Sequence, residues 1–226
     1  MNSPDQSASL TWRDDVIPVS TRFDDPYFSL AGGLAETRHV FLGGNGLPAR
    51  FAPGFHVAEL GFGTGLNMVA SLIAWRGAGM AGVLRYTSFE AYPMTAGDMA
   101  RALAAFPAVL AMAGPMLDQW GLGKTQISLP GLEAEIIIGD AGATLDAWGG
   151  FADAWYLDGF SPAKNPELWT DDLMQSVARH TKPGGTFATY TAAGHVRRSL
   201  SDAGFVVDRR AGFGAKRHMT AGVFSG

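Results

Sequence analysis

Three stretches of this chain carry residues whose types and spacing can do chemistry. The first is Glu59-Leu60-Gly61-Phe62-Gly63-Thr64-Gly65-Leu66-Asn67, an acid followed by glycine at alternate positions. Such glycines tolerate positive φ and let backbone approach a ligand closely, and a helix starting beyond them offers free N–H groups to a negative group. The chemistry implied is the cradling of a nucleotide-like cofactor. A dinucleotide fingerprint needs glycine or alanine to close G-x-G-x-x-G, and counted from Gly61 that position is Leu66, which disfavours nicotinamide and flavin. The second is a set of acids that end apolar runs: Glu90, able to accept hydrogen bonds from both hydroxyls of a ribose, and Asp140, within Gly139-Asp140-Ala141. The third is Asp158-Gly159-Phe160-Ser161-Pro162-Ala163-Lys164-Asn165-Pro166. A carboxylate there can take the proton of an amine, which at neutral pH is protonated and has no free lone pair. Phe160 offers a ring to a flat substrate, Pro162 and Pro166 stiffen the loop, and Lys164 can reach a phosphate. Metal and serine-hydrolase chemistry are disfavoured, because His39, His56, His180, His195 and His218 are scattered and no G-x-S-x-G elbow or Walker-type loop occurs.

Positioning these groups requires a particular alternation of elements. Residues 55–60 (FHVAEL) read as a strand feeding the glycine cluster, and 66–76 carry apolar residues at helical spacing. Residues 83–89 read as a second strand, followed by a helix over about 98–106 that Thr95 can cap, with Asp98 in a capping-box-like place. Runs TQISL and LEAEIII flank Pro130-Gly131 as a hairpin, and a short helix follows Asp140. Residues 153–157 (DAWYL) form the next buried strand, and Thr170-Asp171-Asp172 opens a helix to about His180. Pro183-Gly184-Gly185 reads as a turn into the strand TFATYTA, then a helix over 196–203, then FVVDR and KRHMTAGVF as a closing antiparallel pair. Strands alternating with helices predict a mostly parallel sheet covered on both faces. In such sheets ligands sit beyond the carboxyl ends of the strands, which places Asp158 beside the glycine loop if their strands are neighbours. Residues 1–50 fit no such unit and are expected to form a cap or lid on a 51–226 core, the whole being one structural domain.

A chain of 226 residues that is 47% hydrophobic can bury a sizeable core. It has no cysteine, which excludes a disulfide framework and suits a reducing compartment, so the cytoplasm is expected. The first fifteen residues are too polar for a signal peptide, and no apolar run nears the ~20 residues of a membrane span. The net charge of −4 is unevenly distributed. Between Arg179 and His218, Arg179, Lys182, Arg197, Arg198, Arg209, Arg210, Lys216 and Arg217 face only Asp202 and Asp208, so that stretch carries +6 and the remainder −10. A basic end on an acidic body can hold a polyanion, although solvated element faces would give the same asymmetry.

The E-x-G-x-G-x-G pattern resembles the first motif of class I S-adenosylmethionine-dependent methyltransferases, where the amino-acid end of the cofactor lies over the glycine loop. By that likeness Glu59, Gly61, Gly63, Gly65, Leu66, Asn67, Glu90, Asp140 and Ala141 bind the cofactor, the Asp140 element at its adenine. Phe62–Asn67, Leu157–Pro166 and Pro183–Ala193, with the stretches STRFDDPYFS (20–29) and ETRHVFLGGNG (36–46) and the ending Gly212–Arg217, closely resemble the MnmC/MnmD methyltransferases over nearly the whole chain. The resemblance implies an α/β, Rossmann-like fold with a mostly parallel sheet, a final antiparallel strand and an N-terminal cap. It implies methylation of 5-aminomethyl-2-thiouridine at the wobble position of tRNA, giving 5-methylaminomethyl-2-thiouridine, with Asp158 and Phe160 catalytic. Lys164, Arg197, Arg198, Lys216 and Arg217 become candidates for the tRNA, whose anticodon loop presents an unstacked base to Phe160, with Tyr27 or Phe28 helping to stack it. Ala215 stands where relatives often carry a basic residue. In many relatives the domain is fused to a flavin-dependent oxidoreductase that makes the amine, so either a separate protein is expected to supply it here or that half lies outside this sequence. A methyltransferase or aminopropyltransferase of small-molecule amines, and a non-catalytic tRNA-binding module, remain the competing readings.

Overall fold

A computed structural model describes residues 7–29 and 32–226. Residues 1–6 and 30–31 of the expected cap lie outside the described residues.

Strands β1 (Leu10–Arg13), β2 (Ile17–Ser20) and β3 (Asp25–Pro26) form a small antiparallel sheet. Helix α1 (Gly33–Glu36) then runs into a π-helical turn, Thr37–Gly43, whose Val40, Phe41 and Leu42 are buried in the main core. The chain continues through β4 (His56–Leu60), α2 (Leu66–Gly77), β5 (Leu84–Glu90), α3 (Ala96–Leu103) and α4 (Pro107–Gly121). It proceeds through β6 (Gln126–Leu129), β7 (Leu132–Ile138), α5 (Ala141–Asp146), β8 (Ala152–Leu157) and α6 (Asp171–Arg179). The last elements are β9 (Thr181–Thr189), α7 (Gly194–Asp202), β10 (Phe205–Ala211) and β11 (His218–Phe224).

The main sheet runs β10-β11-β9-β8-β4-β5-β7-β6. Its centre, β9-β8-β4-β5-β7, is parallel, while β11 enters antiparallel to β9 and both edges close as antiparallel hairpins. From β4 the chain moves outward to β5 and β7, and then returns to the other flank of β4 with β8. Adjacent crossovers therefore diverge between β4 and β8, and a crevice opens at their carboxyl ends, where open α/β sheets bind ligands. Leu60 pairs with Leu157, so the residues after them, Gly61 and Asp158, leave neighbouring strands side by side.

The strands are buried on both faces because helices cover both. Ala154 and Tyr156 of β8 face one core with Leu72, Trp75, Met99 and Met116, while Trp155 and Leu157 face the other with Leu173, Val177 and Leu200. The expected caps form: Thr95 accepts from the Asp98 N–H at 3.1 Å and Thr170 from the Leu173 N–H at 3.3 Å, each contributing about 1 kcal/mol.

Two elements depart from the sequence reading. Residues 107–121, assigned no structure, form α4, because Pro107 occupies the first turn, where its missing N–H costs no intrahelical bond. Pro183-Gly184-Gly185, read as a turn before a strand, lies inside β9. The register against β8 jumps there, from Ala152↔Thr181 to Ala154↔Thr186, so the extra residues are absorbed as an irregularity.

Candidate active site

The crevice is a cavity of about 640 Å³. Its floor is the glycine loop, where Gly61, Gly63 and Gly65 have φ of 89°, 53° and 76°. Gly61 is required twice over: besides its φ, a Cβ would stand 2.4 Å from the Asp158 carbonyl oxygen. The absent side chain lets the β4 and β8 loops meet. Backbone pairing continues to the strand tips, with Gly61 N–H donating to the Phe89 carbonyl (2.9 Å) and Asp158 N–H to the Leu60 carbonyl (3.1 Å).

Glu90 ends β5 at this floor and is buried. One carboxylate oxygen accepts from Gly63 N–H at 2.9 Å and the other from Tyr92 N–H at 2.7 Å. Burial raises its pKa and these N–H groups oppose the rise. The backbone N–H groups of Phe62 and Ala91 also favour its ionised form. Asp140 caps α5 through the Ala143 N–H at 3.1 Å, and with Ala141 it lines the same cavity.

Asp158 lines the cavity from the end of β8. Burial pushes its carboxyl up to about 7; a 2.6 Å hydrogen bond from Asn67 Nδ2 opposes the rise, the Glu36 charge adds to it and Lys216 lowers it. Glu59, 1% exposed, lies beneath the floor, and burial together with the Asp158 charge pushes it up to about 8. Phe160 stacks on Phe23 (centroids 4.8 Å, 29°) and takes the Tyr27 ring edge-on at 4.9 Å. Phe28, the other aromatic expected there, packs against Phe106 at 5.3 Å while still lining the cavity.

The structure thus gathers Gly61, Gly63, Leu66, Asn67, Glu90, Asp140, Ala141, Asp158 and Phe160 around one cavity, with Gly65 at the start of α2 below it. The basic candidates are dispersed. Lys164 is held by the Asp24 carbonyl and by Asp24 and Asp25 carboxylates at 3.3 and 3.6 Å, so its ammonium clamps the N-terminal segment to the Asp158 loop. The same segment accepts the Ser161 N–H at Asp25 Oδ2, 2.9 Å away. Lys216 lines the cavity, paired with Glu36 at 2.8 Å and lying 3.8 Å from the Tyr190 ring centroid. Arg217 is exposed on the same loop; Arg197, half-buried, and Arg198, exposed, sit on α7 outside the lining.

Sequence reasoning missed Phe23, Asp25, Glu36 and Tyr190, which converge here from distant segments. The closely spaced acids and aromatics of STRFDDPYFS are the local signal for Phe23 and Asp25, and Glu36 and Tyr190 lie in the family-like runs 36–46 and 183–193. Six lining acids (Asp25, Glu36, Glu90, Asp140, Asp158, Glu167) outnumber the lining bases Arg22 and Lys216 among the described residues, and with Asp25 paired to Lys164 and Glu36 to Lys216 the remaining excess of acid suits cationic ligands. Together with the cradle that a Cβ at Gly61 would fill and the twin acceptors of Glu90, this donor set fits a ribose-bearing cation such as S-adenosylmethionine. Among the described residues no three His, Cys, Asp or Glu are grouped to hold a metal, and no helix is long and apolar enough to cross a membrane.

A family model described as S-adenosyl-L-methionine-dependent methyltransferase matches residues 110–225. The tRNA 5-methylaminomethyl-2-thiouridine biosynthesis bifunctional protein MnmC of Caulobacter sp. (strain K31) is 48% identical over 239 residues, covering 100% of this chain and 40% of that protein. The protein of the same name from Aeromonas hydrophila is 44% identical over 95% of this chain and 35% of its own length. The chain therefore spans about 40% or less of these relatives. Among solved structures, MNMC2 from Aquifex aeolicus superposes with a TM-score of 0.76 at 24% identity, over 97% of this chain and 71% of that one. Spermidine synthase from Thermotoga maritima gives 0.56 at 13%, over 97% and 72%. Those two likenesses establish the Rossmann-like fold, and with the family match over half its length the chain belongs to the S-adenosyl-L-methionine-dependent methyltransferases.

Proposed function

We propose that this chain methylates the amine of 5-aminomethyl-2-thiouridine at the wobble position of tRNA, giving 5-methylaminomethyl-2-thiouridine. The observation that carries the reading is the placement of Asp158 beside the glycine loop, with Phe160 next to it and the basic C-terminal loop at the rim of the same cavity. The printed names of the 44–48% identical relatives supply the nucleoside.

S-adenosylmethionine, when bound, supplies an electrophilic methyl group on a cationic sulfur. Glu90 would hold its ribose hydroxyls, the 61–66 backbone its amino-acid end, and Asp140 with Ala141 its adenine. Asp158 takes the proton that the substrate ammonium must lose before its nitrogen can attack. With a pKa near 7 the carboxylate is substantially ionised at neutral pH and still basic enough for the task. Phe160, backed by Phe23 and Tyr27, presents a rigid ring against which an extruded base stacks.

The tRNA backbone lies along the C-terminal region. Arg179, Lys182, Arg210 and Lys216 of that region already form ion pairs with acids of this chain, whereas the half-buried Arg197 and the exposed Arg198, Arg209 and Arg217 form none within 4 Å among the described residues. The three exposed arginines, with Lys216 at the cavity, are the phosphate contacts of the proposal, and the anticodon loop is the segment bound. A flavin-dependent oxidoreductase or another amine-forming enzyme supplies the substrate, and the cytoplasm, where tRNA is modified and a cysteine-free chain is at home, is the compartment. Asp158→Asn tests the reading: cofactor affinity is retained while turnover falls by about 10²–10⁴. Full activity in that variant removes Asp158 from the mechanism.

A further inference from the structure

Asn67 is the second residue of α2 and is 5% exposed. Its Nδ2 donates to Asp158 Oδ2 at 2.6 Å and to Glu59 Oε1 at 2.9 Å, and its Oδ1 accepts from Thr37 Oγ1 at 2.7 Å. Thr37 begins the π-helical turn of the N-terminal segment and is itself 3% exposed. The second Glu59 oxygen is held by Ser88 Oγ at 2.8 Å. Nδ2 and Oδ1 of the Asn67 amide are therefore both engaged, by partners from three separate parts of the chain.

We propose that Asn67 is a positioning residue for the reaction, aiming the Asp158 carboxylate into the cavity, and that Thr37 locks the Asn67 amide in the orientation that does so. The proposal rests on the reading of Asp158 as the base. Its physical content is directional. An Asn side chain offers donors on one side and an acceptor on the other. In the reverse orientation Oδ1 would face two acid oxygens at 2.6–2.9 Å, which is repulsive whenever either acid is ionised. The Thr37 hydroxyl adds a donor that only the observed orientation satisfies in full. With one Asp158 oxygen fixed by Nδ2, the other is left to meet the substrate, and the ionised form is favoured by the N–H it receives.

The groups that face Asp158 are Asn67 from α2, Glu36 from α1, Lys216 from the C-terminal loop and Tyr190 from the end of β9, with Glu59 of β4 behind Asn67 and Tyr86 of β5 facing Glu59. Of these, only the Asn67 bond depends on Thr37 for its direction. Removing the Thr37 hydroxyl weakens that bond, so the Asp158 pKa rises further. A charged-group hydrogen bond lost outright corresponds to about 1–2 pH units, and a loosened one to about half a unit or more.

The test uses Thr37→Val, which preserves shape and removes the hydroxyl, and Thr37→Ser, which restores a hydroxyl on a smaller side chain. In protein labelled with carbon-13 at aspartate carboxyls and free of added ligand, the Asp158 signal is assigned by its loss in Asp158→Asn and titrated with pH. The expected result is a midpoint raised by about half a unit or more in Thr37→Val and returned to the wild-type value in Thr37→Ser. The acid limb of the turnover profile moves with it. An unmoved midpoint in a folded Thr37→Val overturns the inference while leaving the base in place if Asp158→Asn is inactive. A moved midpoint with a fully active Asp158→Asn overturns the reading of the base, and the positioning role with it.

Discussion

Replacing Asp158 by Asn should separate what this carboxyl costs the fold from what it contributes to the chemistry. The side chain has an ordinary pKa of 3.8 and is pushed up to about 7 by burial. An acid whose pKa is raised by folding binds its proton more tightly in the native state, so its penalty is absent below about pH 4, grows as pH rises, and is complete above the folded value. The shift of about three units corresponds to at most about 4 kcal/mol at 1.36 kcal/mol per unit. Asn keeps an oxygen to accept the 2.6 Å hydrogen bond of Asn67 and carries no charge to desolvate. Urea unfolding of the wild type and of Asp158→Asn between pH 4 and 8.5 should therefore show equal stabilities at the acid end. At the alkaline end the variant should be the more stable by a few kcal/mol, even though its turnover is lost. Parallel curves, with a difference that does not change across this range, would refute the claim that burial holds this carboxyl near neutrality.

Gly61→Ala places a methyl group 2.4 Å from the Asp158 carbonyl at a φ of 89°, so cofactor affinity should fall at least about tenfold and the melting temperature should drop, as read by calorimetry and thermal melts. Near-wild-type values for both would mean that the two loops need not touch. Phe160→Ala removes the ring that Phe23 and Tyr27 hold, and should lower kcat/KM for tRNA by about tenfold or more, a typical loss of base stacking, with cofactor affinity unchanged in equilibrium dialysis. Arg217→Gln should flatten the plot of log tRNA affinity against log salt by about one unit, and an unchanged slope would take Arg217 off the phosphate path.

How much of this site could be read from the chain depends on the range of the interactions that make it. The glycine loop, the Glu90 tip and the Thr95 and Thr170 caps are local devices, each legible from a few neighbouring residues, and they stand where the alternation of strands and helices put them. That Asp158 meets Gly61 follows from β8 pairing with β4, a non-local choice that the sequence left conditional. Helix α4 was invisible because it is apolar with little sidedness and carries Pro107 and Pro115, residues that ordinarily signal a break. Lys164 shows the converse. Its type suggested a phosphate, and only tertiary packing brings Asp24 and Asp25, some 140 residues away, to its ammonium. Thr37, Glu36 and Tyr190 are likewise unremarkable in their own stretches and acquire a role through the cavity they share.

The most direct test of the account is to incubate the purified protein with label-bearing S-adenosylmethionine and tRNA from cells that lack this methyl group, digest the tRNA to nucleosides, and identify the one that carries the label. The account predicts label in 5-methylaminomethyl-2-thiouridine and nowhere else. Unlabelled tRNA from a protein that still binds the cofactor would contradict it, and would direct the search to an amine outside tRNA.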